Sequence, residues 1–195
     1  MKTEWKILLI GGSGATGKSH LARQLAKQFE VPLTEVDDIR IALQKMVKKE
    51  DHPDLFTFLD ADPNFIEQNT PEYWSQKLLD VGKELWPALD DLINKHIVCD
   101  EPVIFEGDSI IPQLLATRSQ ESIKAVFLYD DKEELYQRDI QRNRGNTPDP
   151  EKAKKYSEFT YTYGQEIKKQ AERSGYTAIK ASPLDTLLTR VLELV

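Results

Sequence analysis

The stretch Gly12-Ser13-Gly14-Ala15-Thr16-Gly17-Lys18-Ser19 has the spacing G-x-x-x-x-G-K-[ST], which suits a loop that wraps a polyphosphate. Its glycines allow the backbone to turn successive N–H groups toward an anion without Cβ clashes. A helix opening inside the loop adds the positive end of its dipole. Lys18 is placed to reach the β- and γ-phosphates, and the Ser19 hydroxyl to ligate Mg²⁺. His20 follows directly and belongs to the same nucleotide-facing stretch by position. With His52 and His96 it shows no metal-ligand spacing and reads as a surface residue.

Phosphoryl transfer also needs an oriented acceptor, a metal and cations on the migrating charge. Asp37, Asp38 and Arg40 stand at the carboxyl end of a short strand reading Leu33 to Val36, where ligands of open parallel sheets bind. A carboxylate there can take the proton of an acceptor hydroxyl, and an arginine three residues on would face the same region. Either aspartate could instead simply cap the next helix. Glu106 ends the apolar run Val103-Ile104-Phe105 and is followed by Gly107. An acidic residue at this place holds Mg²⁺ or, since aspartate is the usual choice, binds the acceptor. Gly107 implies that something approaches the backbone closely. Arg138, Arg142 and Arg144 precede the polar turn 145–150 and could close as a lid over the γ-phosphate. Glu134, four residues before Arg138, offers a plain surface ion pair as the alternative.

These residues need a scaffold, and the chain alternates strand and helix signals accordingly. Residues 5–10 read as the first strand, and a helix runs from about Gly17 to before Pro32. Ile39, Leu43, Met46 and Val47 give a second helix. Residues 51–71 carry Asp51, Asp54, Asp60, Asp62, Glu67 and three phenylalanines but no lysine or arginine, and form short helices or an irregular flap. Thr70 and Pro71 open a long helix whose stripe includes Trp74, Leu78, Val81, Leu85, Leu89 and Ile93. Pro87 inside it predicts a kink or two helices in tandem. Residues 103–105 and 125–129 are fully apolar, as central parallel strands are. A helix covers 131 to about 144, another runs to about Arg173 and stops at Gly175, residues 176–179 form the last strand, and Pro183 opens the terminal helix. Tyr156, Tyr161, Tyr163, Trp74 and Trp86 read as core. The expected fold is three-layer α/β/α with a five-stranded, mostly parallel sheet, in one domain over 1–195 with an acceptor flap at about 51–71 and a lid at about 138–150.

At 195 residues the chain can bury a sizeable core. Its net charge of -7 and the lack of Lys/Arg clusters argue against a nucleic-acid partner. The single cysteine, Cys99, rules out an internal disulfide and reads as a small buried residue near a strand. With no long apolar segment and no leader-like start, a cytoplasmic location without a membrane partner is expected. Monomer and homodimer are both open.

Taken together, the elements resemble the small P-loop kinases of the adenylate-kinase-like and shikimate-kinase-like group. The stretch 37–40 looks like its counterpart in polynucleotide 5′-kinase domains. That likeness implies Asp37 as general base and Arg40 as an acceptor or transition-state contact. Chloramphenicol phosphotransferases and gluconate kinases similarly place an acidic base at this strand end. Glu106-Gly107 with Pro112 is similar to an E-G-x-x-x-x-P pattern in 2-phosphoglycerate-kinase-like proteins. The resemblance implies an ATP- and Mg²⁺-dependent phosphotransferase acting on a small-molecule hydroxyl. Lys18, Asp37, Arg40, Arg138 and Arg142 would be catalytic. Residues 12–20 with Arg138, Arg142 and Arg144 would hold nucleotide. Asp37, Asp38, Arg40, Glu106 and Gly107 would hold acceptor, and Ser19 with Glu106 would hold Mg²⁺. Nucleoside monophosphate kinases carry arginines in the acceptor segment and this chain has none at 51–71, so a neutral or cationic hydroxylated acceptor is expected. A switch-type NTPase would have no use for the Asp37/Arg40 pair, and a nucleic-acid end kinase would show a basic groove.

Overall fold

The computed structural model describes residues 3–58, 65–118, 121–142 and 149–195. Five parallel strands form one sheet in the order β2-β3-β1-β4-β5: β1 Ile7–Gly12, β2 Leu33–Glu35, β3 Val103–Glu106, β4 Ile123–Tyr129 and β5 Thr177–Lys180. Between and after them lie α1 Lys18–Phe29, α2 Val36–Met46, α3 Phe65–Gln68, α4 Pro71–Val98, α5 Pro112–Leu115, α6 Lys132–Arg142, α7 Pro150–Arg173 and α8 Leu187–Leu192, with 3₁₀ turns at Pro53–Phe56 and Leu184–Thr186.

The central strands β1, β3 and β4 are largely apolar on both faces because helices cover both. Ile7, Leu9, Val103, Phe105, Ala125 and Phe127 face one core, shared with α4, α5 and α7. Leu8, Ile10, Ile104, Val126 and Leu128 face the other, shared with α1 and α8. This one-residue alternation gives the three layers expected of the sequence. Parallel pairing sets Ile10 beside both Glu106 and Val126, so the carboxyl ends of β1, β3 and β4 lie toward one rim of the sheet.

The helix boundaries follow local chemistry. The Thr70 hydroxyl accepts from the Tyr73 amide at 3.3 Å, with Pro71 at the first helical position of α4. Asp149 accepts from the amides of Glu151 and Lys152, both at 3.1 Å, ahead of Pro150 in α7. At the far end of α7, Gly175 takes a left-handed φ of 74°, and the Tyr176 amide reaches back to Ala171 O at 2.9 Å.

Several expectations are corrected. Pro87 does not divide the long helix: α4 is one element of 28 residues. Trp74, Leu78, Val81, Leu85, Leu89 and Ile93 pack on one core along its whole length, and that burial outweighs the one hydrogen bond proline removes. Val36 is not the end of β2 but the first residue of α2, where it is fully buried. Cys99 is exposed rather than buried, because it follows the last turn of α4 on the way to β3. Tyr161 lies outside the buried stripe Phe159-Thr160-Tyr163-Ile167 of α7 and is exposed, whereas Tyr163 is fully buried. Among the described residues, no helix is long and apolar enough to cross a membrane.

Candidate active site

The loop 12–19 emerges from the middle strand of the sheet. The Ser13 amide donates to Leu128 O at 3.0 Å, which ties the loop to β4. The Thr16 hydroxyl and the Lys18 ammonium both donate to Ser13 O, at 2.7 and 2.8 Å, and these bonds curl the chain into a ring. Gly12 and Gly17 take φ of 123° and 83°. At Gly12 a Cβ would lie 2.0 Å from Leu128 O, so only glycine fits there. Ala15 also has a left-handed φ, 59°, which costs a non-glycine residue about 1 kcal/mol. Its carbonyl accepts from Arg138 Nη1 at 3.2 Å, so a side chain from α6 braces the strained residue.

Helix α7 supports the loop from below. A Cβ at Gly164 would meet Ser13 Oγ at 2.9 Å and Ser13 Cβ at 3.3 Å. Gly164→Ala should therefore lower ATP affinity about tenfold by pushing Ser13 out of the ring, although alanine is the better helix former by about 1 kcal/mol. Calorimetric titration alongside thermal melting checks this. A higher melting point with unaltered affinity would show that the loop tolerates the added methyl group.

At the carboxyl end of β3, Glu106 is only 5% exposed, and the Ser19 hydroxyl hydrogen-bonds to it. Burial pushes its carboxyl up, the charge of Lys18 opposes this, and Asp108 adds to it. A buried carboxylate sharing a hydrogen bond with the serine of the phosphate loop is an all-oxygen donor pair that suits Mg²⁺. Ser19 and Glu106 therefore have the donor chemistry that such an ion takes.

Asp37 and Asp38 are the second and third residues of α2, and Glu35 occupies the cap position, so neither aspartate caps the helix. Both are exposed. Asp37, however, has enough protein around its carboxyl to lose part of its hydration. This desolvation raises its carboxyl, Asp108 raises it further, and Arg40 and Lys18 pull it back. Asp37 thus shares a site with Lys18, Arg40 and Asp108.

Arg40 is turned away from solvent. Its Nε donates to Leu55 O at 2.7 Å and its Nη2 donates to Thr57 O. Burial lowers its basicity and Asp37 partly restores it. Gln44 Nε2 also donates to Leu55 O, at 2.5 Å, while Glu84 accepts from the Leu55 amide at 3.1 Å. Arg40 thereby links the flap's first turn to Asp37. Beyond it, Phe58 packs on Phe65, Trp74 and Phe159 at ring separations of 5.5, 5.6 and 6.0 Å. The flap residues 59–64 lie outside the described residues.

Gly107 is approached closely, as its residue type implied, but by protein. A Cβ there would lie 2.8 Å from Val36 Cβ. This contact seats the start of α2, and with it Asp37, against the end of β3.

Of the three arginines expected to close as a lid, Arg138 is anchored. Its Nη1 contacts Asp130 Oδ2 at 2.7 Å, and its Nη2 contacts Glu134 at 3.1 Å. The Glu134 pair foreseen from spacing is present, but the guanidinium is 14% exposed and braces Ala15 as well. Asp130 is wholly buried and also accepts from Ser182 Oγ at 2.6 Å and from the Asp131 amide at 2.9 Å. Arg142 ends α6, its side chain is not among those described, and Arg144 lies outside the described residues. His20 is exposed on α1.

Two acidic residues were missed at the level of sequence. Asp108 contacts Lys18 Nζ at 2.5 Å through Oδ1, and its carbonyl accepts from the buried Tyr163 hydroxyl. Asp130 follows the apolar run of β4 just as Glu106 ends that of β3. An acidic residue closing a buried strand was the available signal for it.

The parallel sheet, the covered faces and the loop after β1 define a P-loop fold of the small-kinase kind. Comparison with known proteins agrees. The chain is 29% identical over 133 residues to 2-phosphoglycerate kinase from Methanococcus maripaludis strain C6, covering 63% of this chain and 41% of that protein. It is 20% identical over 195 residues to 2-phosphoglycerate kinase from Methanocaldococcus jannaschii, covering 97% and 62%. The chain therefore spans less than two thirds of the length of these relatives. Among solved structures, a gluconokinase from Sinorhizobium meliloti 1021 superposes with a TM-score of 0.51 at 15% identity, over 99% of this chain and 92% of that one. No protein-family model matches. The resemblance to the small P-loop kinases read from residues 11–19, 37–40, 103–112 and 138–144 is thus met at the level of the group.

Proposed function

We propose that the protein is an ATP- and Mg²⁺-dependent phosphotransferase that moves the γ-phosphoryl group to a hydroxyl of a small molecule. The observation that carries this reading is the meeting of Lys18, the Ser19–Glu106 pair and Asp37 at the ends of β1, β3 and β2. The loop amides and Lys18 bind the polyphosphate. Ser19 and Glu106 would hold Mg²⁺, which when bound neutralises charge on the phosphate oxygens. Asp37 accepts the acceptor's hydroxyl proton. The acceptor oxygen then bonds to the γ-phosphorus as the bond to the β–γ bridging oxygen breaks, releasing ADP. Arg138 acts by fixing the loop's shape, and Arg142 and Arg144 remain the candidates for closure on the γ-phosphate.

The acceptor side favours a neutral or cationic polyhydroxylated molecule. Asp37, Asp108 and Glu106 are grouped there, and two of the three guanidinium nitrogens of Arg40, Nε and Nη2, already serve the carbonyls of Leu55 and Thr57. The relatives' name supports a second reading, a phosphorylated hydroxy acid such as 2-phosphoglycerate. The deciding assay is coupled ADP release with Mg·ATP over polyols, sugars, amino sugars and 2-phosphoglycerate. Acceptor-dependent release is expected, from the neutral and amino compounds above all. Turnover confined to 2-phosphoglycerate would overturn the acceptor assignment, and steady release with no acceptor would overturn the kinase reading in favour of an NTPase.

A further inference from the structure

The inference concerns Asp108 and rests on the kinase reading above. Lys18 is 5% exposed, and an ammonium so placed needs an anionic partner. In this structure that partner is Asp108 Oδ1 at 2.5 Å, with the neutral Ser13 carbonyl on another side at 2.8 Å. A nucleotide's β- and γ-phosphates require the same ammonium, so the carboxylate and the polyphosphate compete for one cation. The backbone of Asp108 is held firmly. Its carbonyl takes the Tyr163 hydroxyl, and the neighbouring Gly107 donates its amide to Ile10 O at 3.2 Å while packing on Val36. Its side chain is 34% exposed, so the carboxylate can rotate off Lys18 into water without moving the strand end. The groups that face it are then Asp37 and Glu106. Both feel its charge, and neither offers it a proton donor.

We propose that Asp108 is a place-holder for the nucleotide's polyphosphate: it neutralises Lys18 until the phosphates displace it, and the released carboxylate then binds hydroxyl or ammonium donors of the acceptor. Nucleotide therefore binds before acceptor, and the acceptor side acquires its full acidic character only when the nucleotide is seated.

The test uses the full chain and two variants, Asp108→Asn and Asp108→Ser, each first checked for folding by thermal melting. ATP and inorganic tripolyphosphate are titrated calorimetrically in EDTA, which removes any contribution of Asp108 to metal binding. Loss of the competing ion pair should tighten both ligands about tenfold in both variants, the scale of one charge-assisted bond. With the acceptor found in the ADP-release panel, Asp108→Asn should raise the acceptor's KM about tenfold or more while the KM for ATP does not rise. Metal-free affinity that is unaltered or weaker overturns the place-holder role, and an unaltered acceptor KM overturns the acceptor-binding role. Failure of the unsubstituted chain to bind ATP at all would instead overturn the kinase reading.

Discussion

Lys18→Ala is expected to lower kcat/KM for phosphoryl transfer at least a thousandfold, combining about tenfold or more in ATP affinity with a larger loss in kcat. The ammonium is held inside the loop by the loop itself, through Ser13 O. It gains most as charge moves onto the γ-phosphoryl oxygens, so its loss weighs on the transition state more than on binding. Stability should change far less than activity. The partner left behind, Asp108, is a third exposed and can rehydrate, unlike a carboxylate trapped in the core. Lys18→Arg should recover little, since the planar guanidinium cannot occupy the point between Ser13 O and a phosphate that an ammonium fills. ADP release and metal-free ATP titration on both variants check this. Turnover within tenfold of the unsubstituted chain would show that the loop amides alone grip the polyphosphate.

The half of the site proposed to hold nucleotide was legible because the loop is local. Eight consecutive residues encode its turns, its donors and the hydroxyl proposed to ligate the metal, and the strand before it and helix after it announce themselves by apolar periodicity. The three layers were legible for a related reason: uninterrupted apolar runs at 103–105 and 125–129 have no stable place except between two helical layers. The acceptor half is built from pairs distant in sequence, and spacing says nothing of those. Arg40 spends its donors on the carbonyls of Leu55 and Thr57, and a backbone carbonyl carries no signature in the sequence. Asp108 reaches Lys18 across ninety positions, and the same register of β1 against β3 that makes the contact is what the sequence leaves unstated. Of the two outcomes Pro87 allowed, the division into two helices does not occur. The proline's local effect is real, but packing along the whole of α4 overrides it.

Asp37→Asn should lower kcat by a factor of about 10²–10⁴, the usual contribution of a positioned base, while ATP binding stays within about twofold because the loop is untouched. Asp38→Asn should cost far less, as it is Asp37 that meets Lys18, Arg40 and Asp108. A larger loss at Asp38 would move the base one residue along α2. The pH dependence carries the sharper test. A base must be ionised to accept a proton, so kcat/KM rises with pH through the pKa of Asp37 and levels off above it. Desolvation and Asp108 raise that carboxyl above the ordinary value of 3.8, so the acidic limb lies at higher pH than an unperturbed aspartate would give. Asp108→Asn removes one raising influence and should move the limb to lower pH. Arg40→Ala removes a lowering influence and should move it to higher pH, with a further loss of rate from the freed flap. Opposite displacements by two variants on either side of Asp37 cannot come from a general loss of structure, which would lower the plateau and leave the limb in place. A limb that both variants move in the same direction, or that survives intact in Asp37→Asn, would assign the proton to another group.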